Sequence, residues 1–154
     1  MALKILVAED YKDLADSYRT IFEGRGHEVM ITDNGVECQS IYKQYTKQPD
    51  GKIKPYFDVV ILDQKMLGMD GIETAKEIQR VIPKQKIIFI TGYGKEVLQK
   101  LPQLSESASV MNKPFTVQAL LTEVEGFAVT KFREMAKNRQ ITGLIASTDT
   151  YSFS

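Results

Sequence analysis

Cysteine and histidine are nearly absent from this chain of 154 residues, with one of each, and neither sign of charge is in surplus. A lone cysteine excludes disulfide staples within the chain, and beside a lone histidine it leaves no set of ligands for a zinc cluster. The 20 basic residues are cancelled by 20 acidic ones, so the positive footprint of a protein that grips nucleic acid by its phosphates is missing. No apolar run is long enough for a signal peptide or a bilayer span, and the expectation is a cytosolic protein without membrane contact. Cys38 stands with Ile41, Tyr42 and Tyr45 at helical spacing, where a reduced thiol behaves as a small hydrophobe. His27, beside Gly26 in a turn, is expected to be solvated.

What remains is an ordinary globular composition, 43% hydrophobic and 26% charged, suited to one domain. Five short apolar runs recur at near-even intervals: LKILVA (3–8), EVMIT (28–32), FDVVIL (57–62), KIIFIT (86–91) and SVMN (109–112). Three are rich in Val and Ile, as buried strands should be. Between them, apolar residues fall three and four apart: Leu14, Tyr18, Ile21 and Phe22, then Cys38, Ile41 and Tyr45, then Ile72, Ala75, Ile78 and Ile82. A short helix is expected around Lys95 to Leu101, stopped by Pro102. A longer one after Pro114 carries Val117, Leu120, Leu121, Val124, Phe127, Ala128, Phe132 and Met135. Strand and helix in alternation predict a parallel α/β sheet of five strands, doubly wound, with helices on both faces.

Two stretches break the rhythm. Residues 47–55, KQPDGKIKP, read as a polar loop punctuated by Pro49, Gly51 and Pro55. Residues 138–154 are too short for a domain. The chain is therefore divided into a main domain over 1–128 and, over 129–154, an extension of the last helix with a C-terminal tail.

In an open parallel sheet, ligands bind beyond the carboxyl ends of the strands. The residues at those ends are Glu9 and Asp10, Asp63, Thr91 and Lys113. Three carboxylates gathered there would repel unless a cation compensates, and an all-oxygen ligand set suits Mg²⁺, or Mn²⁺, better than zinc. Mg²⁺ takes only one or two protein carboxylates, which leaves Asp63 available as a nucleophile toward phosphorus. The Lys113 ammonium and the Thr91 hydroxyl could then hold phosphoryl oxygens.

The ED pair at 9 and 10, LDQKMLGMDG at 62–71, ITG at 90–92 and NKPF at 112–115, in this order and each at the end of a separate strand, resemble the receiver domain of two-component response regulators. The resemblance spans about residues 3–128. It implies a flavodoxin-like fold with strand order 2-1-3-4-5 and phosphorylation of Asp63 by a histidine kinase or a histidine phosphotransfer protein. It further implies that Asp10, Asp63 and the main-chain carbonyl of Lys65 bind Mg²⁺, with Glu9 acting through a metal-bound water. Thr91 would move to meet the phosphoryl group, Lys113 would pair with Asp63 or its phosphate, and the Lys113–Pro114 bond would be cis. Lys65 and Tyr93 occupy positions where the family tunes the lifetime of the aspartyl phosphate. Such a protein is a switch and not an enzyme in the usual sense, its catalysis limited to accepting and slowly losing a phosphoryl group.

Two residues depart from the family pattern. Leu67 replaces the usual proline, and Val110 stands where many receivers carry a Tyr or Phe. An Mg²⁺-dependent aspartyl-phosphate phosphatase would need a second aspartate where Lys65 stands, and AEDYKDL would repel the phosphate of a flavin. The reading is a stand-alone receiver, a monomer or weak homodimer, that reports to a downstream protein through the face of helix four, strand five and helix five. The alternative, motivated by Val110 and Leu67, is a receiver-like interaction module that works without phosphorylation.

Overall fold

The computed structural model describes residues 2–126, and the tail and last-helix extension expected over 129–154 lie outside them. The chain divides into two compact units, Met1–Pro114 and Phe115–Ser154. The first holds the sheet. In chain order it runs β1 (Lys4–Ala8), α1 (Lys12–Gly24), β2 (Glu28–Thr32), α2 (Gly35–Thr46), β3 (Val59–Leu62), α3 (Gly71–Val81), β4 (Ile87–Thr91), α4 (Gly94–Lys100) and β5 (Ala108–Asn112). In the second unit, residues 117–126 are helical and form α5.

All four strand pairings are parallel and the order is β2-β1-β3-β4-β5. Their register fixes where the strands stop. Ala8 lies opposite both Thr32 and Leu62, and Thr91 opposite Asn112, so the strands end nearly level and the residues after them share one edge. β3 and the body of β4 are apolar because both of their faces are covered: every residue of the two strands is buried, polar Thr91 at the end of β4 included. Side chains alternate across the sheet. Leu6, Ala8, Val60, Leu62, Ile87 and Phe89 join one core with Cys38 and Tyr42 of α2 and Ile72, Ala75 and Ile78 of α3. Full burial of each large apolar side chain among them contributes about 1.5–3 kcal/mol.

The helices begin where their caps allow. Asn34 accepts a hydrogen bond from the Glu37 N–H (2.8 Å), and Asp70 one from the Glu73 N–H (2.9 Å). Asp70 is thus the cap of α3, as its place before Gly71 suggests. At α4 the short helix runs into a 3₁₀ turn, Leu101–Gln103, that accommodates Pro102.

Three expectations are revised. His27 is not solvated: it is 5% exposed and its Nδ1 accepts the Leu3 N–H at 3.1 Å. Gly26, at φ 85°, turns the chain back toward the sheet, and the imidazole comes to rest against Phe22, with ring centroids 6.4 Å apart. Tyr45 is 36% exposed and packs on Tyr56 and Phe57 instead of entering the stripe with Cys38. Residues 47–54 are largely solvent-facing but form a hairpin: Lys47 bridges Ile53, and the Gln48 and Lys54 N–H groups donate to Lys52 and Thr46 carbonyls. Gly51, at φ 83°, makes its turn.

An acidic pocket at the carboxyl edge

β1 delivers Glu9 and Asp10, and β3, its neighbour, delivers Asp63. Main-chain bonds continue the ladder past the strand ends, from the Glu9 N–H to the Thr32 carbonyl (3.0 Å) and from the Asp63 N–H to the Ala8 carbonyl (3.2 Å). The three carboxylates converge so that one oxygen from each lies within 4.8 Å of the others. Lys113 directly follows β5; its main-chain N–H donates to the Thr91 carbonyl (3.0 Å), and the Lys113–Pro114 peptide is cis. The Lys113 ammonium sits between two of the acids, donating to Asp63 Oδ2 at 2.9 Å and to Glu9 Oε1 at 2.8 Å.

Asp10 faces solvent, whereas Glu9 is 2% and Asp63 9% exposed. Asp63 Oδ1 accepts the Gln64 N–H at 2.7 Å, and Glu9 Oε2 the Tyr11 N–H at 3.1 Å. Burial pushes the Glu9 carboxyl above its ordinary value, and the opposing hydrogen bonds from Lys113 and Tyr11 do not cancel it. For Lys113 the balance runs the other way: burial disfavours the ammonium, but the bonds and charges of Asp63 and Glu9 outweigh it and hold the value above that of an ordinary lysine. The Tyr18 phenol, buried within the field of Glu9 and Asp63, is raised as well, first by burial.

Thr91, at the end of β4, is fully buried, and its Oγ1 accepts the Tyr93 N–H at 3.1 Å. Lys65 and Tyr93 meet: the Lys65 ammonium lies 5.1 Å from the Tyr93 ring centroid and 3.3 Å from a Glu96 carboxylate oxygen. Leu67 is 87% exposed, and Val110 packs half-buried against the core.

The structure therefore brings Glu9, Asp10, Asp63 and Lys113 into one pocket, with Thr91 on the adjoining strand end. Two residues escape sequence reasoning. Gln64 is completely buried directly after Asp63, and Glu96 anchors Lys65. A polar residue continuing a buried strand was the available signal for Gln64. Glu96 carried none, because its partner lies on a different strand-to-helix loop.

Three carboxylates against one ammonium leave an excess of negative charge, and the donors are all hard oxygens. That composition fits Mg²⁺ or Mn²⁺ and does not fit a thiophilic metal. Among the described residues no helix is long and apolar enough to cross a membrane.

A doubly wound parallel sheet with this acidic edge and a cis-Pro-linked lysine places the protein among α/β domains of the receiver class. The sequence model of the response regulator receiver domain matches residues 5–125, and the chain belongs to that family. The response regulator receiver protein CpdR of Brucella abortus (strain 2308) is 33% identical over 122 residues, covering 79% of this chain and 93% of the relative. Among solved structures, a CheY-like receiver domain protein of Methanospirillum hungatei JF-1 superposes with a TM-score of 0.73 at 22% identity, over 87% of this chain and 99% of that one. The receiver domain of the sensor histidine kinase PA1611 of Pseudomonas aeruginosa PAO1, solved with a magnesium ion in its active-site cleft, gives 0.68 at 16% identity, over 82% and 98%.

Proposed function

We propose that this protein is a phosphorylation switch whose Asp63 accepts a phosphoryl group from the phosphohistidine of a histidine kinase or histidine phosphotransfer protein. The observation that carries the reading is the Lys113 ammonium bonded at once to Asp63 and Glu9, with Asp10 alongside. An Asp63 oxygen attacks phosphorus as the P–N bond of the phosphoimidazole breaks. The imidazole nitrogen keeps the electron pair. Lys113, already 2.9 Å from Oδ2, holds the nucleophile in place and then meets the new phosphoryl oxygens.

Glu9, Asp10, Asp63 and the Lys65 carbonyl are the groups that would hold Mg²⁺, which when bound neutralises charge on the phosphoryl oxygens. The magnesium-containing cleft of the PA1611 receiver domain supports that assignment. Thr91 Oγ1 accepts from Tyr93 and keeps its own proton to donate. Turning that hydroxyl to the phosphoryl group shifts the loop that carries Tyr93 and the start of α4. The changed surface, with exposed Tyr93 and Leu98, is what a downstream protein reads. Lys65 and Tyr93, in contact beside the pocket, screen the aspartyl phosphate from water and lengthen its life. No catalytic turnover beyond this self-catalysed transfer and slow hydrolysis is proposed.

Transfer of labelled phosphoryl from a phosphorylated histidine phosphotransfer protein tests the reading. Label on the wild type, absent from Asp63→Asn, is the expected result, and label retained by that variant would refute it.

A further inference from the structure

Gln64 makes four hydrogen bonds, as many as Asp70 at the other end of the loop it opens, and its side-chain bonds take no part in the phosphoryl transfer proposed for Asp63. Its side chain is completely buried. Oε1 accepts the Ile72 N–H at 2.9 Å and Nε2 donates to Asp70 Oδ2 at 3.3 Å. Its main-chain carbonyl accepts the Gly71 N–H at 3.0 Å, and its main-chain N–H is the donor to Asp63 Oδ1. Residues 65–70 thus form a loop pinched at its neck, with Asp63–Gln64 on one side and the first turn of α3 on the other. The neck is narrow: a Cβ on Gly71 would collide with the Asp63 carbonyl oxygen and lie 3.0 Å from both Gln64 Cα and Oε1.

Beyond the neck the restraints are side-chain contacts at the loop's start, the Lys65 pair with Glu96 and half-buried Met66 on the core, while Leu67 and Gly68 are exposed, Gly68 has φ 79°, and position 67 lacks the stiffening of a proline ring. We infer that Gln64 is a positioning residue: by clamping the neck, its amide fixes the Asp63 carboxylate and the adjoining Lys65 carbonyl at the separation a divalent cation needs. The inference rests on the metal site proposed above. Groups that hold ligands in orientation without touching the metal typically contribute about 10–100-fold in affinity.

The test is Mn²⁺ binding, followed by electron paramagnetic resonance of the unbound ion and by Mg²⁺ competition, with no phosphodonor present. Gln64→Met keeps the side chain's length and removes both amide bonds. Gln64→Glu with Asp70→Asn exchanges donor and acceptor between the two positions and leaves their summed charge unchanged, while an asparagine before Gly71 can still cap α3. A Kd raised about tenfold or more in Gln64→Met, and largely restored in the double variant, is expected. Gln64→Asn, a methylene too short to span the neck, answers the question by the same shift should Gln64→Met fail to fold. A lowered melting temperature with an unchanged Kd would overturn the inference and leave the metal site standing. Absence of Mn²⁺ binding by the wild type would overturn both.

Discussion

Neutralising Asp10 should stabilise the protein without divalent ions and destabilise it, relative to wild type, when they are present. Two unit charges 4.8 Å apart repel by about 0.9 kcal/mol at the dielectric of water and about 3.5 kcal/mol at an effective value of ~20. Asp10 faces solvent, so a figure near 2 kcal/mol per pair is the reasonable middle. It meets two carboxylates and one ammonium, which leaves about one repulsion uncompensated. Asp10 also precedes α1, where a negative charge is favourable by about 0.5 kcal/mol. The Asp10→Asn variant should therefore gain about 1–1.5 kcal/mol in EDTA, a rise in Tm of roughly 4 °C. Saturating Mg²⁺ at ~100 times its Kd adds about 2.7 kcal/mol to a protein that binds it, and this gain should belong to the wild type alone. Thermal melts followed by circular dichroism, with EDTA and with MgCl₂, should show the order of the two proteins inverting. A variant that is less stable in EDTA, or equal Mg²⁺ gains in both, would refute the electrostatic account of the pocket.

Lys113→Met leaves Glu9 and Asp63 without their shared cation and should cost about 3 kcal/mol near neutral pH, the lower end for a broken buried pair because Lys113 is partly exposed. Without the ammonium the Glu9 carboxyl, already raised by burial, rises further, the folded state takes up protons more readily than the unfolded, and the deficit should shrink as pH falls through that raised value; urea unfolding that shows a constant gap contradicts this. In the wild type the Lys113 contribution is present throughout the neutral range and is lost only as pH climbs through its raised value. The Cys38 thiol, pushed up to about 12 by burial, should ignore a disulfide reagent at pH ~8 until urea unfolds the chain, and native reaction at the rate of an exposed thiol would count against the packing around it. Gly71→Ala drives a methyl into the Asp63 carbonyl and should cost about 3 kcal/mol, while Gly94→Ala meets only the exposed Asn112 amide, which can swing aside, and should cost under ~1 kcal/mol; equal urea midpoints would refute the distinction.

Much of this architecture is legible from spacing alone, because burial on both faces leaves β3 and the body of β4 apolar and because level strand ends place Glu9, Asp10, Asp63, Thr91 and Lys113 on one edge. The strand order came from resemblance, and the sheet has it. What escaped depends on contacts distant in sequence. Gln64 shows in the sequence only as a polar residue continuing a buried strand, and that Ile72 and Asp70 answer its amide depends on the fold. Likewise His27 is covered because Gly26 turns it onto the Leu3 N–H. The hairpin at 47–54 reads as plain polar chain because its turn is carried by Gly51 and main-chain bonds, to which composition is blind.

The central claim is that Asp63 takes up a phosphoryl group, and intact mass after incubation with acetyl phosphate and Mg²⁺ tests it most directly. The account predicts that the wild type gains the mass of one phosphoryl group, that the gain disappears on chelation, and that Asp63→Asn shows none. No gain by the folded wild type, with acetyl phosphate and with a phosphorylated histidine donor alike, would contradict it and favour a surface that works without phosphorylation.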